Sequence, residues 1–122
     1  MKIILASKSG VRKKILEKNN FDCFVAPSNV DEDQVKDSLL AVGANPMLVS
    51  KNLAELKSTK VSAKYPDQIV LGADSVISLN NKLINKPKSR EEAFEILKQL
   101  NGSVHFLITS VCISKNGAMI WN

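Results

Sequence analysis

The stretch Gln68–Leu79, QIVLGADSVISL, decides the fold. Pro66-Asp67 bound it on one side and Asn80-Asn81 on the other. Ile69, Val70 and Leu71 precede a small centre, Gly72-Ala73-Asp74-Ser75, and Val76, Ile77 and Leu79 follow it. An apolar run between turn residues reads as a buried strand. A carboxylate inside such a strand is costly unless something pairs with it. Small residues before it let a ligand or another backbone come close. Two readings of Asp74 stand at this point. It caps a turn or pairs with a structural arginine, or it is a functional acid, since buried acids are rare and gather at sites.

Upstream, Gly43-Ala44-Asn45-Pro46 is a break and a helix start, with Asn45 as cap and Pro46 in the first position. The helix is expected to run to about Tyr65, with Val49, Leu53 and Leu56 as its apolar stripe. Lys57 flanks that stripe and Lys60 falls on it a turn later; lysine stems snorkel, so their burial means little alone. Nearer the N-terminus, Lys2–Ala6 reads as a strand and Val11–Lys18 as a helix with Val11, Ile15 and Leu16 buried. The turn between them, Ser7-Lys8-Ser9-Gly10, opens a helix N-terminus, where free N–H groups and the dipole favour an anion. Ser7 or Ser9 either caps the helix or binds that anion. Arg12 in the first turn opposes the dipole, which hints that it faces an anionic ligand. Phe21–Ala26 reads as a second strand, broken by Pro27-Ser28-Asn29. Val30-Asp31-Glu32-Asp33 then reads either as the acidic first turn of a helix over Gln34–Val42 or as carboxylates for a metal.

Downstream, Lys82-Leu83-Ile84 is the return arm of a hairpin over Asn80-Asn81, and Asn85-Lys86-Pro87 follows. Ser89 and Glu92 form a capping box for a helix carrying Ala93, Ile96, Leu97 and Leu100, which Asn101-Gly102 ends. Val104–Ser114 and Ala118–Trp121 read as strands about a Lys115-Asn116-Gly117 turn. Strands alternating with helices make this an α/β chain.

Its 122 residues suit a single domain, 1–122, with a real core. Seventeen Lys and Arg against twelve Asp and Glu give a net charge of +5. That balance admits nucleic acid, a membrane surface or an anionic small molecule as partner without choosing among them. Only six residues are aromatic, little material for stacking bases. No apolar stretch is long enough to span a membrane. Cys23 and Cys112 lack metal-ligand spacing and are expected to be reduced core thiols of a cytoplasmic protein. His105, the one histidine, reads as structural, and Trp121 as a packing residue.

Read together, these segments resemble the Maf family of nucleoside triphosphate pyrophosphatases, first named septum formation inhibitors. ILASKSGVRKKIL at the N-terminus is similar to the family's LASxSxxRxxxL signature. VDED resembles its acidic element, NLAELK its LAxxKA helix, IVLGADSV its GADTV strand and NKP its GKP turn. EEAFEILKQLNGSVHFLITSV is similar to its EAxxMLxxLSGxxHxVxTxV stretch. The matches are collinear and cover nearly the whole chain.

The resemblance implies a mixed sheet flanked by helices, with a cleft between two lobes. Family members are longer, so the chain is expected to be the N-terminal two-thirds, incomplete at the C-terminus. The resemblance also implies hydrolysis of a nucleoside triphosphate between the α- and β-phosphates, in a homodimer that does not act on nucleic acid or membrane. By it, Ser7, Ser9 and Arg12 meet the phosphates, Asp74 is the general base, and Glu32, Lys57 and Lys86 complete the catalytic set. Glu32 and Asp74 would hold a divalent cation, Mg²⁺ or Mn²⁺. Val11 and Ser75 fall at positions tied to the choice of base. Ser75 is nearer the Thr of the dTTP and UTP type than the Gln of the 7-methyl-GTP type, and Val11 fits neither. A nucleotide-binding regulatory module without turnover is the alternative. A basic nucleic-acid-binding domain has only the net charge in its favour.

Overall fold

The computed structural model describes residues 2–122. The strands are β1 (Lys2–Leu5), β2 (Asp22–Val25), β3 (Val70–Leu79), β4 (Lys82–Ile84), β5 (His105–Lys115) and β6 (Ala118–Trp121). The helices are α1 (Gly10–Lys18), α2 (Glu32–Ala41), α3 (Pro46–Ser62) and α4 (Arg90–Leu100). The fold is α/β, a mixed six-stranded sheet flanked by helices, in the order β2-β1-β3-β5-β6 with β4 also on β3. β1 runs parallel to β2 and β3; the remaining pairings are antiparallel.

QIVLGADSVISL forms the central strand. β5 pairs with β3 along its whole length, Val70 to Leu79. The other edge is shared. β1 takes Val70 and Leu71, β4 takes Ile77 to Leu79, and Gly72–Val76 lies open between them. Parallel strands present ligands at their carboxyl ends, where such a sheet splits. Here that point is the end of β1 next to Ala73 and Asp74.

α3 covers one face of the sheet. Asn45 caps it, its side chain accepting from Leu48 N–H at 2.8 Å, and Pro46 starts it. Its buried face carries Val49, Leu53, Ala54 and Val61 together with Ser50, Ser58 and Ser62. These small residues allow close approach. A Cβ on Gly72 would lie 2.4 Å from the Ala54 carbonyl oxygen and 2.8 Å from Ser58 Cβ. Ser58 and Ser114 hydroxyls meet at 2.7 Å across the same interface. Ile4, Ala6, Ala26, Val61 and Val70, with Tyr65 against them, form the core at the β1 end.

Several side chains depart from the expected pattern. Among the described residues none in α1 is buried, and Val11 is 69% exposed with Ile15 at 55%. α4 likewise buries no residue fully. In α3 the stripe is rotated, so that Leu56 and Lys60 are exposed and Lys57 is buried. Trp121 is 58% exposed rather than packed, and Cys23 is half-buried while Cys112 lies in the core. His105 sits on β5 opposite Leu79, away from the acids. α2 and α3 start or stop within three residues of their expected ends. Among the described residues no helix is long and apolar enough to cross a membrane.

Candidate active site

The site forms where the N-terminus of α1, the turn after β2 and the buried face of α3 converge on β3. Ser9 caps α1 by accepting from Arg12 N–H at 3.2 Å. Ser7 accepts from Ser9 N–H at 3.1 Å and from Arg12 Nη1 at 3.2 Å. Arg12 reaches into the open edge of β3. Its Nη1 donates to the Ala73 carbonyl at 3.2 Å and its Nη2 to Ser75 Oγ at 3.4 Å. Ser75 in turn meets Thr109 Oγ1 at 2.9 Å. The cation in the first turn is therefore tied to the sheet.

Lys57 rises from α3 between two carboxylates. Its Nζ lies 3.1 Å from Asp74 Oδ1, ion-pairs with Glu32 Oε1, and approaches the Ala73 carbonyl at 3.5 Å. Asp74 is 6% exposed, and its Oδ2 has no hydrogen-bond partner among the described residues. Burial pushes the Asp74 carboxyl above the usual aspartate range, and the nearby Lys57 only partly offsets it. Burial would raise Glu32 too, but the hydrogen bond and charge of Lys57, helped by Lys36 and Lys86, hold it below its ordinary value.

A cavity of about 490 Å³ opens in front of this triad. Ser7, Ser9 and Arg12 line one side, Glu32 and Lys57 another, with Lys86 at the rim. Asp74 pairs with Lys57 but is not itself among the lining residues, and neither are Val11 and Ser75. The other expected site residues line the one cavity. Of the acidic cluster, Asp31 caps α2 by accepting from Gln34 N–H at 3.1 Å, Asp33 is exposed, and only Glu32 turns inward. The helix-capping reading holds for its neighbours. Lys8, Ser28 and Asn29 also line the cavity. They were legible only as turn residues; their place at the carboxyl ends of β1 and β2 was the available signal.

The donor set suits a divalent cation that keeps water and shares phosphate oxygens. Two carboxylates converge on one ammonium, and Asp74 Oδ2 is a buried acceptor without a partner. Among the described residues no group of three or more His, Cys, Asp and Glu is gathered. Any cation held by Glu32 and Asp74 would therefore draw its other ligands from water and substrate.

The family model described as Maf-like protein matches residues 2–121. A nucleoside triphosphate pyrophosphatase of Pelagibacter ubique is 66% identical over 120 residues, 98% of this chain and 62% of that protein. A dTTP/UTP pyrophosphatase of Pyrococcus furiosus is 39% identical over 98% of this chain and 59% of its own length. A 7-methyl-GTP pyrophosphatase of Rhizobium etli is 34% identical over 98% of this chain and 60% of its own. The chain spans about three-fifths of the length of these curated relatives. With the family pattern running from β1 to β6 and its polar residues gathered at one cavity, the chain belongs to the Maf-like protein family.

Proposed function

We propose that this site hydrolyses a nucleoside triphosphate, of non-standard or pyrimidine type, to a monophosphate and pyrophosphate. The observation that carries the reading is the buried Lys57–Asp74 pair, joined by the half-buried Glu32, beside a cavity lined also by a helix N-terminus, Arg12 and Lys86. A triphosphate carries several negative charges. Lys86, Lys8 and the α1 N-terminus offer positive potential where it would lie. Arg12, held by Ser7 and Ala73, supplies a fixed donor beside them.

Asp74 serves as general base. As the water oxygen bonds to the α-phosphorus, the water's proton passes to Asp74. The bond to the bridging oxygen breaks, and pyrophosphate leaves with the electron pair. A phosphate in the cavity gives Lys57 a further anionic partner, which loosens its hold on Asp74 and frees that carboxylate for the water. Glu32 and Asp74 would hold Mg²⁺ or Mn²⁺, which when bound neutralises charge developing on the phosphate oxygens. Ser75 supports the pyrimidine reading by its likeness to Thr, while the names of the relatives span both base types.

The test is pyrophosphate release from dTTP, UTP, CTP and 7-methyl-GTP with Mg²⁺ or Mn²⁺, with Asp74→Asn as control. Turnover lost in the variant is the expected result. Equal release by both forms, or none from any nucleotide by folded protein, overturns the reading.

A further inference from the structure

Ser50 lies seven residues before Lys57 on the same face of α3 and is wholly buried. Its hydroxyl touches two oxygens, the Asp74 main-chain carbonyl at 3.0 Å and Ser110 Oγ at 2.8 Å. A hydroxyl carries one proton. Ser50 is the donor in both contacts, so its proton is shared between the Asp74 carbonyl and Ser110 Oγ. Ser110 is also the register partner of Asp74 across the β3–β5 pair.

Packing alone does not ask for a hydroxyl here. The surrounding positions of α3, Val49, Leu53 and Ala54, are buried and apolar. A buried hydroxyl without partners is costly, so this one is tolerated because Asp74 O and Ser110 accept from it. Lys57 meanwhile holds the carboxylate of the same residue at 3.1 Å. One helix thus grips Asp74 twice, by its backbone at Ser50 and by its side chain at Lys57. The geometry points to Ser50 as a positioning residue for Asp74, with Ser110 as a second acceptor for its proton. This inference rests on the pyrophosphatase reading in taking Asp74 as the group whose placement matters.

The test is steady-state kinetics on the full chain for Ser50→Ala, Ser110→Ala and the double variant. Ser50→Ala is expected to lower kcat about tenfold with KM within about twofold, since misplacement of a base affects the chemical step. Ser110→Ala is expected to leave kcat within about twofold, because Ser50 then keeps its proton for the Asp74 carbonyl. The double variant should be no worse than Ser50→Ala, as Ser110 acts only through Ser50. Unchanged kcat in folded Ser50→Ala, or a further loss in the double variant, overturns the inference. If Ser50→Ala does not fold, Ser50→Cys, a weaker donor of similar size, decides in its place. If the wild-type chain turns over no nucleotide, the pyrophosphatase reading fails separately. The Asp74 ¹³Cγ resonance then decides: a shift in the folded Ser50 variant supports the positioning role, and an unmoved resonance overturns it.

Discussion

Lys57 Nζ stands 3.1 Å from Asp74 Oδ1, and both side chains are only 9% exposed. Glu32 closes the far side of the ammonium. One cation between two acids leaves a net negative charge in a partly buried place. The ammonium between them is what makes the pair of acids tolerable there.

Removing the cation is therefore expected to be severe. Lys57→Met should lower stability by about 3–5 kcal/mol, because it leaves two carboxylates facing each other without a counter-charge. Pyrophosphate release should fall with it. Lys57→Arg should not restore activity, since a planar fork cannot replace a compact ammonium between two acids. Denaturant unfolding checks the first expectation. A Lys57→Met protein as stable as wild type would show that the pair contributes nothing.

The two acids respond to pH in opposite senses. Glu32 lies below its ordinary value when folded, so its contribution is present above the unfolded value and is lost as acid takes the pH down through the folded one. Asp74 lies above its ordinary value, so its contribution is full below the unfolded value and is lost as the pH rises through the folded one. Once ionised, Asp74 thus weighs against folding. Asp74→Asn is expected to match or exceed wild type in Tm at neutral pH and to lose that advantage in acid. Thermal unfolding across pH reads this directly; an Asn variant less stable at pH 7 than at pH 4, relative to wild type, contradicts it.

Gly72 sits where α3 lies closest to the sheet. A methyl group there meets the Ala54 carbonyl at 2.4 Å and the Ser58 backbone nitrogen at 2.9 Å, atoms that cannot swing aside. Gly72→Ala is expected to cost about 1–3 kcal/mol. Because α3 carries Lys57, the displacement should also reduce turnover. A variant with unchanged Tm and rate would show that the helix yields without effect on the site.

The same close approach explains what could be read in the sequence and what could not. The strand around Asp74, the capped helix at Asn45-Pro46 and the Ser89–Glu92 capping box were all legible, because each is set by local chemistry. The buried face of α3 was not. Val49, Leu53 and Leu56 suggested an apolar stripe, but serines at 50, 58 and 62 meet hydroxyls, carbonyls or N–H groups of the sheet and turn inward. That rotation exposes Leu56 and buries Lys57. Hydrophobic spacing alone cannot see a face whose partners are hydrogen bonds. Val11 and Ile15 failed for the opposite reason: they are apolar yet exposed, and α1 is held by its Ser9 cap and by Arg12.

Arg12 gives the last prediction. Its guanidinium spends donors on Ser7 Oγ and the Ala73 carbonyl, both at 3.2 Å, and on Ser75 Oγ at 3.4 Å. It thereby fills the stretch of β3 left open between β1 and β4. A residue serving only as a point charge for phosphate would be replaced in part by lysine. A residue that also joins α1 to the sheet edge would not, because an ammonium cannot span the same acceptors in a fixed plane. Arg12→Lys is therefore expected to lower Tm, by the loss of about 1 kcal/mol of hydrogen bonding, and to raise KM as well. Ser75→Ala removes the longest of the three bonds and should move both quantities less. If Arg12→Lys raises KM while Tm stays at the wild-type value, the arginine acts on substrate alone and its bonds to Ser7 and Ala73 are incidental.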